Sequence, residues 1–85
     1  MKNAFELYNL IGYNMKKIRT EKIKLSQEKL ADEIDMSRSF LSHIESPNVN
    51  TGISLDTLFY LSQKYNFDIR EFFKGYEDLL DTKEN

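Results

Sequence analysis

Cysteine is absent from this 85-residue chain, which excludes a disulfide framework and any thiolate metal site. Histidine is nearly absent: His43 stands alone, and one imidazole does not make a zinc site. No apolar run approaches the roughly 18 residues that a membrane span needs. No basic stretch followed by an apolar run opens the chain, so a secretory leader is not expected. These absences fit a cytoplasmic protein held together by packing. Also missing are a nucleophile–base pair, metal-ligand spacing and a glycine-rich phosphate loop. No enzyme activity, metal or small-molecule cofactor is therefore expected. Three glycines and one proline leave long uninterrupted stretches, which favours helices. Strands lack their signal, because no sustained alternation of apolar and polar residues occurs.

The formal net charge is −2, which argues against a nucleic-acid partner if the sum is all that counts. Distribution matters more than the sum. Lys16, Lys17, Arg19, Lys22 and Lys24 face Glu21 alone between residues 10 and 24. Glu77, Asp78, Asp81 and Glu84 face Lys83 alone at the other end. On charge alone these are a solvated basic face and a solvated acidic end.

Apolar spacing and capping residues predict five helices and an all-α fold. Helix 1 runs from about Leu10 to Glu21, with Ile11, Met15 and Ile18 on one face. Phe5, Leu7, Tyr8 and Leu10 either extend it or lie over the core. Helix 2 follows Ser26 as N-cap, with Leu30, Ala31 and Ile34 inward. After a short Asp35-Met36 turn, Ser37 caps helix 3, which turns Leu41 and Ile44 inward. Pro47 ends that helix at or before Ser46. Residues 47–52 read as a loop. Helix 4 follows Ser54, with Leu55, Leu58, Leu61 and Tyr65 inward, and Asn66 suits a left-handed residue past its end. Asp68 and Glu71 form a capping box for a short helix 5, which carries Ile69, Phe72 and Phe73. Gly75 is its stop. The chain divides into an N-terminal extension (1–9), a helical domain (10–74) and an acidic tail (75–85).

Helices over 27–34 and 38–45, joined by so short a turn, form a helix-turn-helix. In that motif the first helix braces on the DNA backbone and the second enters the major groove. The outward side of helix 3 carries Arg38, Ser39, Ser42 and His43. All four hydrogen-bond readily to base edges. A cation at the start of a helix opposes the macrodipole, so Arg38 suits a groove better than a structural position. Phe40 either meets a thymine methyl or covers the core.

The run Leu25-Ser26-Gln27-Glu28-Lys29-Leu30-Ala31, with Met36-Ser37-Arg38-Ser39-Phe40-Leu41-Ser42-His43-Ile44-Glu45, resembles the phage-repressor (Xre-type) helix-turn-helix family. Ile11-Gly12, Ile18-Arg19 and Ile69-Arg70-Glu71-Phe72-Phe73 resemble its first and fifth helices. The resemblance implies a five-helix lambda-repressor-like fold. It implies sequence-specific binding of double-stranded DNA, and a homodimer on inverted repeats. It puts Arg38, Ser39 and His43 at base-reading positions. Gln27, Ser37, Ser46, Asn48 and Asn50 fall near the DNA backbone. Arg19 and Glu45 match an internal ion pair tying helix 1 to helix 3. Two departures stand out: Asp35 replaces a favoured left-handed glycine, and Ser46-Pro47 replaces a closing glycine. Asp is one of the few side chains that tolerates the left-handed conformation. The basic loop residues common in the family are missing.

Phe73, Tyr76, Leu79 and Leu80 exceed what a small monomer buries, which suggests a dimer interface. Packing of the tail on its own core is the other reading. A regulator is therefore expected, of repressor or controller type. The alternative is a protein-interaction module on the same fold, such as an antitoxin or regulator partner with little DNA readout. Its support is the overall acidity and the lysine-free helix 3.

Overall fold

The computed structural model describes residues 4–47 and 51–80. Among them the chain forms α1 (Ala4–Ile18), a π-helical turn (Arg19–Ile23), α2 (Gln27–Glu33), α3 (Arg38–Glu45) and α4 (Leu55–Lys64). Two 3₁₀ helices follow, Ile69–Phe73 and Tyr76–Leu79. No strand occurs among the described residues. The fold is all-α, and the first 3₁₀ helix takes the place of helix 5.

Helix α1 begins at Ala4, well before the expected Leu10. Tertiary contacts carry the extra turns. Leu7 packs against the core, Tyr8 lies over Gly52, and Leu10 lies beside Gly75. Glu6 in the first turn suits the positive end of the helix. At the other end the helix widens. Lys24 N donates to Arg19 O at 2.6 Å, five residues back, and Lys24 closes the turn at φ 63°. The sequence gives no glycine to mark this stop.

Serines start the next three helices. Ser26, Ser37 and Ser54 accept from the backbone N–H of Lys29, Phe40 and Thr57 at 3.1, 3.0 and 3.1 Å. Each such cap contributes about 1 kcal/mol. Left-handed residues end two of the helices as expected, Asp35 at φ 55° and Asn66 at φ 57°. Beyond them Met36 N returns to Ala31 O and Phe67 N to Ser62 O, both at 2.9 Å. Orphan carbonyls at both ends are thereby satisfied.

Ile11, Met15, Ile18, Leu30, Ala31, Leu41, Ile44, Leu58, Leu61 and Phe72 form the core. Ile34, Tyr65, Ile69 and Phe73 pack against it half-buried. Leu55 is not part of it: it is 66% exposed, against the expectation. It opens α4, a turn before Leu58 reaches the core, and shares an outer stripe with Phe59 at i+4.

The Asp68–Glu71 capping box does not close. Asp68 Oδ1 accepts from Arg70 N at 2.8 Å, while Glu71 pairs with Lys74 at 3.2 Å. The tight 3₁₀ turn brings the Arg70 N–H to the cap and leaves Glu71 N on the Asp68 carbonyl. Asn14, buried on α1, clasps this element. Its Nδ2 donates to Phe72 O at 2.7 Å and Lys74 O at 3.0 Å.

Candidate nucleic-acid interface

The first two elements of the interface are α2 and α3, joined through Ile34–Ser37. The left-handed Asp35 turns the chain and Ser37 restarts it, so two short helices cross with little loop between. Leu41, Ile44 and Glu45 of α3 are buried. Arg38, Ser39 and His43 are exposed on the opposite side, with Ser42 half-buried between them. Arg38 forms no ion pair among the described residues. A helix with a fixed inner face and an open, hydrogen-bonding outer face is what a groove reader needs.

What fixes the inner face is the junction with α1. An ideal Cβ on Gly12 would stand 2.0 Å from the carbonyl oxygen of Ile44. The two helices meet backbone to backbone there, and only glycine permits it. Two turns on, Arg19 grips Glu45: Nε to Oε2 at 2.9 Å and Nη2 to Oε1 at 3.0 Å. Both residues are buried. Arg19 Nη1 also donates to Leu25 O at 2.9 Å, a bond that the widened turn at Arg19–Ile23 permits. Gln27 Nε2 donates to Glu45 Oε1 at 2.9 Å. One carboxylate thus joins the end of α1, the start of α2 and the end of α3. Fork-to-fork contact adds direction to the attraction.

The backbone candidates fare differently. Gln27 keeps one amide hydrogen beyond its bond to Glu45. Ser37 accepts from Phe40 N, so its own hydrogen stays usable. Ser46 donates its hydroxyl to Ser42 O at 2.8 Å and its N–H to His43 O at 3.2 Å. Both Ser46 donors are therefore occupied. Asn48 and Asn50 lie outside the described residues. Phe40 is 39% exposed and stands outside the core, beside Met36 and Tyr60 in a recess that Asp35 and Asp56 also line.

The apolar surface is wider than the sequence suggested. Tyr76 and Leu80 are 38% and 44% exposed, but Leu55 and Phe59 reach 66% and 56%. Phe73 and Leu79 are half-buried. Sequence reasoning turned Leu55 inward and passed over Phe59; their i, i+4 spacing beside the buried Leu58 and Leu61 was the available signal. It turned Tyr65 inward, as found, but missed its bond to α2: the Tyr65 hydroxyl donates to the Glu33 carboxylate. Burial and that carboxylate push the Tyr65 pKa up.

A family model described as a helix-turn-helix domain matches residues 12–78. The chain belongs to the helix-turn-helix family. Two control proteins are similar to it. Control protein C.MunI of Mycoplasma sp is 38% identical over 66 residues, 78% of this chain and 86% of the relative. Control protein C.BamHI of Bacillus amyloliquefaciens is 41% identical over 54 residues, 64% of each chain. No solved structure matches. Helix-turn-helix chains of this phage-repressor-like kind are DNA-binding regulators of transcription, and this chain is one. Among the described residues no helix is long and apolar enough to cross a membrane.

Proposed function

We propose that this chain is a controller-type regulator that binds an inverted-repeat operator as a homodimer, with α3 in the major groove. The observation that carries the reading is α3 itself. Its inner face is held by the Arg19–Glu45–Gln27 junction, and its outer face presents Arg38, Ser39, Ser42 and His43. Arg38 is assigned to guanine, since a guanidinium pairs bidentately with O6 and N7 and discriminates by about 1–3 kcal/mol. Ser39, Ser42 and His43 read neighbouring edges. Gln27 and Ser37 hold the backbone, where contacts set register without reading sequence. The similarity to control proteins supports the regulatory class. Nothing in the reading calls for catalysis or a cofactor, and its place of action is the cytoplasm, with the DNA.

A reader with one eight-residue recognition helix spans only a few base pairs, which favours two copies. Leu55 and Phe59 on α4 are the most exposed candidates for the shared surface, and Tyr76 and Leu80 are the exposed ones near the C-terminal end. Large apolar side chains left exposed are typical of interfaces when they share one surface.

Selection of bound sequences from random duplex DNA tests the proposal. The expected product is a palindrome with half-sites about 10 bp apart. Enrichment of no motif, together with a strict monomer in sedimentation with and without DNA, would overturn it.

A further inference from the structure

The five cations between residues 10 and 24 do not form one patch. Arg19 is buried in its pair with Glu45. Lys22 opens on a recess that it shares with Glu21 and Glu71, where opposite charges offset one another. Lys24 is exposed at the left-handed turn. Lys17 borders the Lys22 recess too, but together with Lys16 it also lines a second one of about 600 Å³, between α1 and the end of α3. Asn9, Tyr13 and Thr20 share its α1 wall; Glu45, Ser46 and Pro47 form the other. Glu45 is the one carboxylate among these residues. Its side chain is 2% exposed and already bound by Arg19 and Gln27. Apart from that satisfied carboxylate, the charged groups lining this recess are both cations.

We infer that this recess is a phosphodiester site, in which Lys16 and Lys17 take the DNA backbone at the rim of the groove that α3 reads. The inference rests on the reading that α3 enters the groove. The eight residues of α3 span about 12 Å at 1.5 Å each. A major groove is about 12 Å wide. With its N-terminal end toward the base edges, the C-terminal end of the helix comes out at a backbone strand, where Ser46 and Pro47 border the recess. Of the three hydroxyls there, those of Thr20 and Ser46 have no hydrogen to give. Thr20 donates to Lys16 O at 2.9 Å, and Ser46 donates to Ser42 O. The two ammonium groups are left as the cationic donors. Lys17 Nζ stands 5.9 Å above the Tyr13 ring, a cation–π contact that holds it at the recess wall. A phosphate grip on α1 also answers the shortage of basic residues in the α3–α4 loop.

These lysines occupy the last turn of α1, where cations also offset the helix dipole. The experiment must separate the two roles. Affinity for the selected operator and for a scrambled duplex is measured across a salt series. The chains compared are the unaltered protein, the double variant Lys16→Gln/Lys17→Gln, and Lys64→Gln, whose charge lies in the last turn of α4. Each lost phosphate contact lowers the slope of log affinity against log salt by about 0.9. The double variant should lose about 1–2 in slope, on both duplexes alike, with its preferred sequence unchanged. Lys64→Gln should keep the full slope. A double variant that melts earlier but binds with an unchanged slope would overturn the site and leave α3 as the reader. Failure of the unaltered chain to bind any duplex would instead remove the reading beneath it.

Discussion

Two arginine–carboxylate pairs in this molecule share a contact geometry and differ in everything around it. Arg19 meets Glu45 through Nε and Nη2 at 2.9 and 3.0 Å. Arg70 meets Asp68 through Nε at 3.0 and 3.1 Å and Nη2 at 2.6 Å. The first pair joins residues 26 apart in sequence, the second residues two apart. Side-chain exposure is 10% and 2% in the first, 88% and 47% in the second. Water stands ready to replace either partner at the surface and neither in the interior. The short distances at Arg70 therefore say little about stability, while the longer ones at Arg19 govern where α3 sits.

The sharpest way to break this comparison is to remove one partner of the buried pair. Glu45→Ala leaves the Arg19 guanidinium unpaired and takes the acceptor from Gln27. The expected loss is about 3–5 kcal/mol, seen as a large fall in melting temperature. A double-mutant cycle on Arg19 and Glu45 checks the cause. Additive effects would show that the pair does not couple α1 to α3. Next in size is Gly12→Ala. Its new methyl meets the Ile44 carbonyl, a backbone atom that cannot swing aside. The helices must part, at a cost of about 1–3 kcal/mol, and Arg19 loses its alignment with Glu45. A lower urea midpoint and weakened operator binding are expected together. An unchanged midpoint would mean that the junction is looser than its geometry.

The buried half of this contrast was legible in the sequence and the exposed half less so. Ile11, Met15 and Ile18 announced the α1 core face by spacing, and Ser26, Ser37 and Asn66 announced helix ends by local hydrogen bonding. The Arg19–Glu45 pair was legible through family resemblance, since nothing in spacing brings residues 19 and 45 together. Asp35 in the left-handed region followed from the same source. Three features were not legible. The start of α1 at Ala4 was one of two readings left open for Phe5 to Leu10, and what decides it is Tyr8 meeting Gly52 and Leu10 meeting Gly75, contacts that exist only once the chain is folded. The π-turn at Arg19–Ile23 depends on Lys24 adopting φ 63°, a conformation lysine does not advertise. Leu55 followed the helical period but stands where no second element covers it. Of the site, the outward set Arg38, Ser39, Ser42 and His43 was readable from the period of α3. Ser46 as a backbone contact was not testable without seeing that Ser42 O holds its hydroxyl.

Asp35→Gly sharpens the comparison from the other side, because it changes a surface residue whose effect comes from the backbone. At φ 55° glycine carries no steric cost, although it gains freedom in the unfolded chain. The expected change is within about 1 kcal/mol. A loss of several kcal/mol in urea titration would show that the Asp35 side chain makes a contact the fold needs.

The smallest effect belongs to the exposed pair itself. The Arg70 side chain, together with its backbone N–H, holds the Asp68 carboxyl down at about 2, from an ordinary value of 3.8. A carboxyl depressed by folding contributes stability above its unfolded pKa and loses it as pH falls through the folded value. Any advantage of the native chain over Asp68→Asn should therefore be constant above pH 4 and disappear as pH approaches about 2. The amide keeps an oxygen for the Arg70 N–H, so this variant removes the charge and spares the cap. The difference should also shrink as salt rises, because both groups face solvent. Urea midpoints for the two chains, taken from pH 7 to pH 2 at low and high salt, check each part. A difference as large as that of Glu45→Ala, or one that survives high salt, would mean that solvent does not screen the Arg70–Asp68 pair. The contrast between the two pairs would then have to rest on something other than burial.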